Sequence, residues 1–155
     1  MSRFFLTLWV GVLFGLGGSA VLTAQNGSYD GNALRLEAHN GDVRIIRGVQ
    51  GTVLGRIGAF RGLDVARLVS SSEKATVEAE KFARDYGPGS WIAAAGLATL
   101  GAAVGASQVD GVNRGIALGL TLASTGLIVY GGGRLQSAYN ALSRSVWWYN
   151  RDLEK

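Results

Sequence analysis

Two long uncharged segments, separated by a short polar turn, constrain this chain more than any other feature. No charge occurs between Asp85 and Asp110, and none between Arg114 and Arg134. Trp91–Val109 and Gly115–Gly133 are apolar runs of 19 residues each. As helices they are about 28 Å long, close to the thickness of a bilayer's hydrocarbon core. The five residues Asp110–Arg114 (DGVNR) join them. The pattern predicts an antiparallel transmembrane helical hairpin over residues 90–133. The competing arrangement buries the same hairpin in a globular core, which a 155-residue chain can hardly build around two fully apolar helices. The first run has few large apolar residues and is expected to insert together with the second, which carries Ile116, Leu118, Leu120, Leu122, Leu127, Ile128 and Val129.

Glycine inside a helix costs about 1 kcal/mol relative to alanine in water, so its repetition asks for a packing reason. In lipid, helices associate where small residues let backbones approach. Ala94, Ala98, Ala102 and Ala106 recur every four residues, with Gly101 and Gly105 alongside; Gly115, Gly119 and Ala123 repeat the spacing on the second run. This glycine zipper is expected to close the hairpin on itself, or also to assemble it with copies of itself or other subunits. A second small face, with Ser124 and Gly126, is available for another protein.

The chain has 24 glycines, one proline and no cysteine, and charged residues make up only 17%. Disulfide frameworks, thiol catalysis and cysteine-based zinc sites are thereby excluded. The net charge of +4 is dispersed without a basic block, which gives nucleic-acid binding no support. Arg3 precedes an uncharged stretch, Phe4–Ala24, that reads either as a signal peptide cleaved after Ala20 or Ala24 or as a retained anchor helix.

Residues 25–89 read as a small α+β extramembrane region. Leu34, Leu36 and Ala38 alternate with polar residues before Asn40-Gly41, and Val43 and Ile45 alternate after it, as in a two-residue hairpin. The segment Gln50–Gly62 (QGTVLGRIGAFRG) could add a short strand, against which its glycines count. Leu63–Val69 suggests a short helix. A second helix follows, capped by one of Ser70–Ser72, with Glu73 in its first turn and its end or a sharp bend at Gly87-Pro88-Gly89. Residues 134–155 form an amphipathic aromatic helix, with Leu135, Tyr139, Leu142, Val146 and Tyr149 on one side. It is expected to lie at the headgroups, to anchor a partner, or to pack on its own chain. Trp91, Tyr130, Trp147, Trp148 and Tyr149 are the candidate interface anchors.

No constellation for catalysis stands out. His39 is the only histidine and sits beside the expected turn. Gly131-Gly132-Gly133 lacks the Lys-Ser/Thr of a phosphate loop. Rotor subunits of ATP synthases are also glycine-rich hairpins, but they need an intramembrane carboxylate, and residues 115–133 offer only Thr121, Ser124, Thr125 and Tyr130. No cofactor or metal is expected.

Ala24-Gln25, Tyr29-Asp30-Gly31, the helical region 63–86, the glycine-rich pair 91–133 and a terminal helix containing Tyr149-Asn150 follow one another in an order that resembles a loose group of uncharacterised bacterial envelope proteins. The resemblance implies this architecture and no activity. The sequence thus predicts a mainly α, non-enzymatic protein of a bacterial cell membrane. Its partners would be the lipid bilayer and other membrane subunits or copies of itself. Its expected role is that of a structural or accessory subunit, with a self-associating pore as the alternative. The export-like start favours a periplasmic position for residues 25–89 and 134–155. The thirteen basic residues that would then lie outside run against the positive-inside tendency.

Overall fold

The computed structural model describes residues 31–108 and 113–155. The segment 1–24 and the turn residues 109–112 lie outside that range. The described chain is mostly helical, with two long apolar helices and a small three-stranded sheet.

The β-hairpin forms where the alternation placed it, and a third strand follows from the glycine-containing segment after it. Strands β1 (Leu34–His39), β2 (Asp42–Arg47) and β3 (Thr52–Ile57) run antiparallel in the order β1-β2-β3. Leu36 pairs with Ile45 and Ala38 with Val43. Asn40 and Gly41 take positive φ angles of 49° and 84°, the geometry that lets two residues reverse a twisted hairpin. Helix α1 (Val65–Leu68) is a single turn capped by Asp64, whose side chain accepts from the Arg67 N–H.

Helix α2 spans Glu73–Ser107 and helix α3 Arg114–Asp152. Ser72 caps α2 and Asn113 caps α3 through side-chain oxygens, at Ala75 N and Gly115 N. Both helices are longer than the sequence suggested. Gly87-Pro88-Gly89 does not end α2, and the expected break near residue 134 is absent, so the hairpin is continuous with its flanking helices. Pro88 and Arg84 are both exposed, so the Arg84 carbonyl, which lacks its usual donor, faces outward. On the opposite side Tyr86, Gly89 and Ser90 are buried, and this packing holds the helix through the proline.

The lower halves of α2 and α3, together with α1 and one face of the sheet, make a base with an apolar core. Ile45, Ile57, Val65, Val69, Phe82 and Leu142 are fully buried there. Polar bonds sew the pieces together. The Asn150 side chain accepts from Leu34 N (2.8 Å) and donates to Leu34 O (2.7 Å), acting as a one-residue strand against β1. Ser145 Oγ donates to the Ala75 carbonyl (2.9 Å), and Ser72 Oγ to Asp152.

The seam between the two helices follows a seven-residue rule. On α2 the buried positions include Ala75, Ala79, Phe82, Tyr86, Gly89, Gly96 and Ala103; on α3 they include Ser124, Gly131, Ala138, Leu142, Ser145 and Tyr149. Alternating steps of three and four keep one stripe facing a near-antiparallel partner. Ser124, Gly131, Ala138 and Ser145 fall every seventh residue, so a small side chain meets α2 at each heptad. Among the seam glycines the tightest fit is at Gly131, where an added Cβ would lie 2.6 Å from Ala93 N.

Candidate functional site: the exposed apolar arm

Beyond the base, residues 91–107 of α2 and 114–130 of α3 project as a two-helix arm, about 26 Å long at the helical rise. Only the seam positions are covered. Leu97, Val104, Ile116, Leu118, Leu122 and Val129 are all exposed, Leu122 to 75%. Isolated exposed apolar residues are ordinary on a soluble surface, whereas a continuous apolar sleeve marks an interaction site. Both helices are long and apolar enough to cross a membrane, and little of either apolar stretch is buried within the chain.

The arm's serine and threonine hydroxyls are satisfied from within. Thr99, Ser107, Thr121, Ser124 and Thr125 each donate a hydroxyl hydrogen bond to a carbonyl of their own helix, at 2.7–2.9 Å. Side chains that bond back to the helix leave no donor needing water, the condition a hydrocarbon environment imposes.

Charge returns where the arm meets the base. Gly131 against Ala93 and Gly89 against Leu135 fix the register of the two helices, which puts Trp91 and Tyr130 near one level. Both rings are exposed. One turn below, Arg134 bonds Asp85 (3.0 Å), Ser137 donates to the same carboxylate (3.2 Å), and the Arg134 guanidinium lies 6.0 Å from the Tyr130 ring centre. The Arg134 hydrogen bond holds the Asp85 carboxyl below the ordinary aspartate range against the opposing effect of burial, with help from Ser137.

The residues that close the hairpin are not the ones the four-residue spacing selected. Ala98, Gly101, Ala102, Gly105, Gly115, Gly119 and Ala123 are exposed, and Ala94 and Ala106 only half-buried. A Cβ added at Gly101, Gly105 or Gly119 would meet nothing within 4 Å. The reason is geometric: four residues turn a helix about 40° past a full revolution, so an every-fourth row winds away from a straight partner. Gly96, Ala103, Ser124 and Gly131, with Ala93 opposite, make the contact instead. Ser124 therefore sits in the seam rather than on a second face with Gly126. The seven-residue recurrence of small side chains was the available sequence signal.

The aromatic anchors divide. Trp91 and Tyr130 stand at the arm's lower edge. Trp147, Trp148 and Tyr149 lie on the same unbroken helix, 17 or more residues from Tyr130, about 26 Å further along. They cannot share one interface with Tyr130, and the terminal segment does not form a separate in-plane helix. Tyr149 is buried in the core, while Trp148 lies under Lys74 (4.5 Å) and Arg151 (5.1 Å).

Elsewhere the base offers little chemistry. Among the described residues no group of three His, Cys, Asp or Glu side chains is placed to hold a metal ion. Burial, reinforced by Tyr86, pushes the Tyr139 phenol well above its usual pKa, so it stays neutral. The His39 ring lies 3.3 Å from the neighbouring Asn40 amide, its one hydrogen-bond partner among the described residues. Compared with known proteins, the chain matches no family model, no curated protein and no solved structure.

Proposed function

We propose that this chain is a non-enzymatic integral membrane protein of the bacterial cell envelope, serving as a structural or accessory subunit of a larger membrane complex. The arm crosses the bilayer as a hairpin, and the folded base stands on one face, taken as periplasmic from the export-like first segment. One observation carries the membrane assignment: an apolar sleeve exposed all round, with each serine and threonine hydroxyl bonded to its own helix. The subunit role draws on the outer glycines. Gly101, Gly105, Gly119 and Gly126 leave open flat surfaces that the hairpin itself does not use, and such surfaces suit helix packing in lipid. A water-lined pore is favoured less, because the arm presents no polar face to solvent.

The absence of cysteine makes a clean test possible. Leu118→Cys and Glu80→Cys are each treated with a membrane-impermeant maleimide in native membranes. The first is expected to react only after detergent is added, the second at once from the face that holds the base. Equal reactivity before detergent refutes insertion. Native mass spectrometry of gently extracted protein then addresses the role. A defined hetero-complex supports an accessory subunit, and a homo-oligomer alone overturns it in favour of the pore.

A further inference from the structure

The turn between β3 and α1 carries an aromatic side chain that the arm does not account for. Gly58 and Arg61 bond each other twice, N–H to carbonyl in both directions (3.1 and 3.0 Å), and the Tyr86 hydroxyl donates to Gly58 O (2.5 Å). Asp42 lies so close that a Cβ at Gly58 would sit 2.7 Å from its Oδ1. The turn is thus held firmly, yet it presents Phe60 at its tip, 61% exposed. A rigid turn that holds a phenyl ring in the open forgoes the stabilisation its burial would give.

The position of that ring identifies its surroundings. The Phe60 ring centre is 4.9 Å from that of Trp91, the first residue of the arm. Between turn and helix lies an open groove of about 150 Å³, lined by Phe60, Leu63, Phe82, Tyr86, Ser90 and Trp91 among others. The groove starts at the arm's lower edge and runs toward the base, so it lies at the depth of lipid headgroups when the arm is inserted. Arg61, exposed beside Phe60, is a cation placed to meet phosphate. The other end of the sheet differs. The Gly48–Gly51 turn lies near Ala33 and Leu34, at the Asn150 end of the base, away from the arm.

We propose that the Gly58–Arg61 turn is a second membrane contact, separate from the hairpin. Phe60 enters the interface of the leaflet next to Trp91, with phospholipid filling the groove and Arg61 pairing with a lipid phosphate. Trp and Tyr favour that zone for their amphipathic rings, and an interfacial segment buries phenyl rings at the acyl boundary beside it. The base is then held to the bilayer on two sides, by the arm and by the sheet. The proposal rests on the transmembrane assignment of the arm.

The test is depth-dependent fluorescence quenching. The full chain is reconstituted in vesicles of phosphatidylcholine and phosphatidylglycerol, with one environment-sensitive label at Phe60→Cys, Leu118→Cys or Val49→Cys. Nitroxide lipids carry the quencher near the headgroup or near the chain end. The label at position 60 is expected to lose emission chiefly to the shallow nitroxide, that at 118 chiefly to the deep one, and that at 49 to neither. Quenching at 118 without quenching at 60 overturns the proposal and leaves the hairpin assignment standing. No quenching at 118 overturns both.

Discussion

Gly131 gives the sharpest quantitative test of the helix seam. A Cβ at this position would lie 2.6 Å from Ala93 N and 2.9 Å from Ala93 Cα, about 0.8 Å short of the 3.4 Å where ordinary contact begins. The obstacle is backbone, so no rotamer change relieves it, and Gly131→Ala must push the helices apart. Overpacking of this kind costs about 1–3 kcal/mol. Against it stands the helix-propensity gain of replacing glycine by alanine, about 1 kcal/mol in water. The net expectation is neutral to about 2 kcal/mol destabilising. Gly132→Ala is the internal control: the same chemistry, one residue on, with nothing within 4 Å of the new atom. It collects the propensity gain without the clash, so the two variants should differ by about 1–3 kcal/mol. Both are to be unfolded from mild detergent by titration with sodium dodecyl sulfate, following helical circular dichroism. A lower midpoint for Gly131→Ala than for Gly132→Ala is expected. Coincident midpoints, or a Gly131→Ala protein that outlasts the control, would refute the seam.

Two further outcomes follow from the base. Asn150→Ala removes both bonds to Leu34 and leaves part-buried backbone groups unpaired, at a cost of about 1–3 kcal/mol; hydrogen exchange should accelerate along β1 first. Acid should weaken the Asp85–Arg134 link. Because the folded pKa of Asp85 lies below the ordinary value of 3.8, its stabilisation is complete above that value and is lost as pH falls through the depressed one. The unfolding midpoint of Asp85→Asn should therefore change less than that of the parent chain between neutral pH and about pH 3.

Short-range signals are legible in the sequence because their causes are local. Asn40-Gly41 turned the chain, Ser72 capped a helix, and the alternation around Leu36 and Ile45 became a paired register. The continuity of α2 and α3 was missed because its cause is tertiary. Pro88 is a strong local stop, and what overrides it is burial of Tyr86 and Gly89 against a helix almost fifty residues away. The packing residues were missed for another reason. Ala94, Ala98, Ala102 and Ala106 make a conspicuous row, but a row every four residues winds away from a near-antiparallel partner. The quieter sevenfold series through Ser124, Gly131, Ala138 and Ser145 stays against it. The exposure of Phe60 left no mark in the pattern at all, since a phenylalanine between Ala59 and Arg61 reads as the end of a short strand.

That unbroken run of helix through Pro88 and the three glycines at 131–133 makes the molecule a lever without a hinge. The base grips one end of the two rods and the apolar sleeve covers the other, with a single heptad stripe locking them together along their length. Because both helices run unbroken from sleeve to base, a change of tilt imposed on the sleeve is expected to carry the sheet with it. Sliding one rod past the other would have to unseat Asn150 from β1 and Ser145 from Ala75. The attitude of the charged end is therefore set by whatever medium takes up the apolar end.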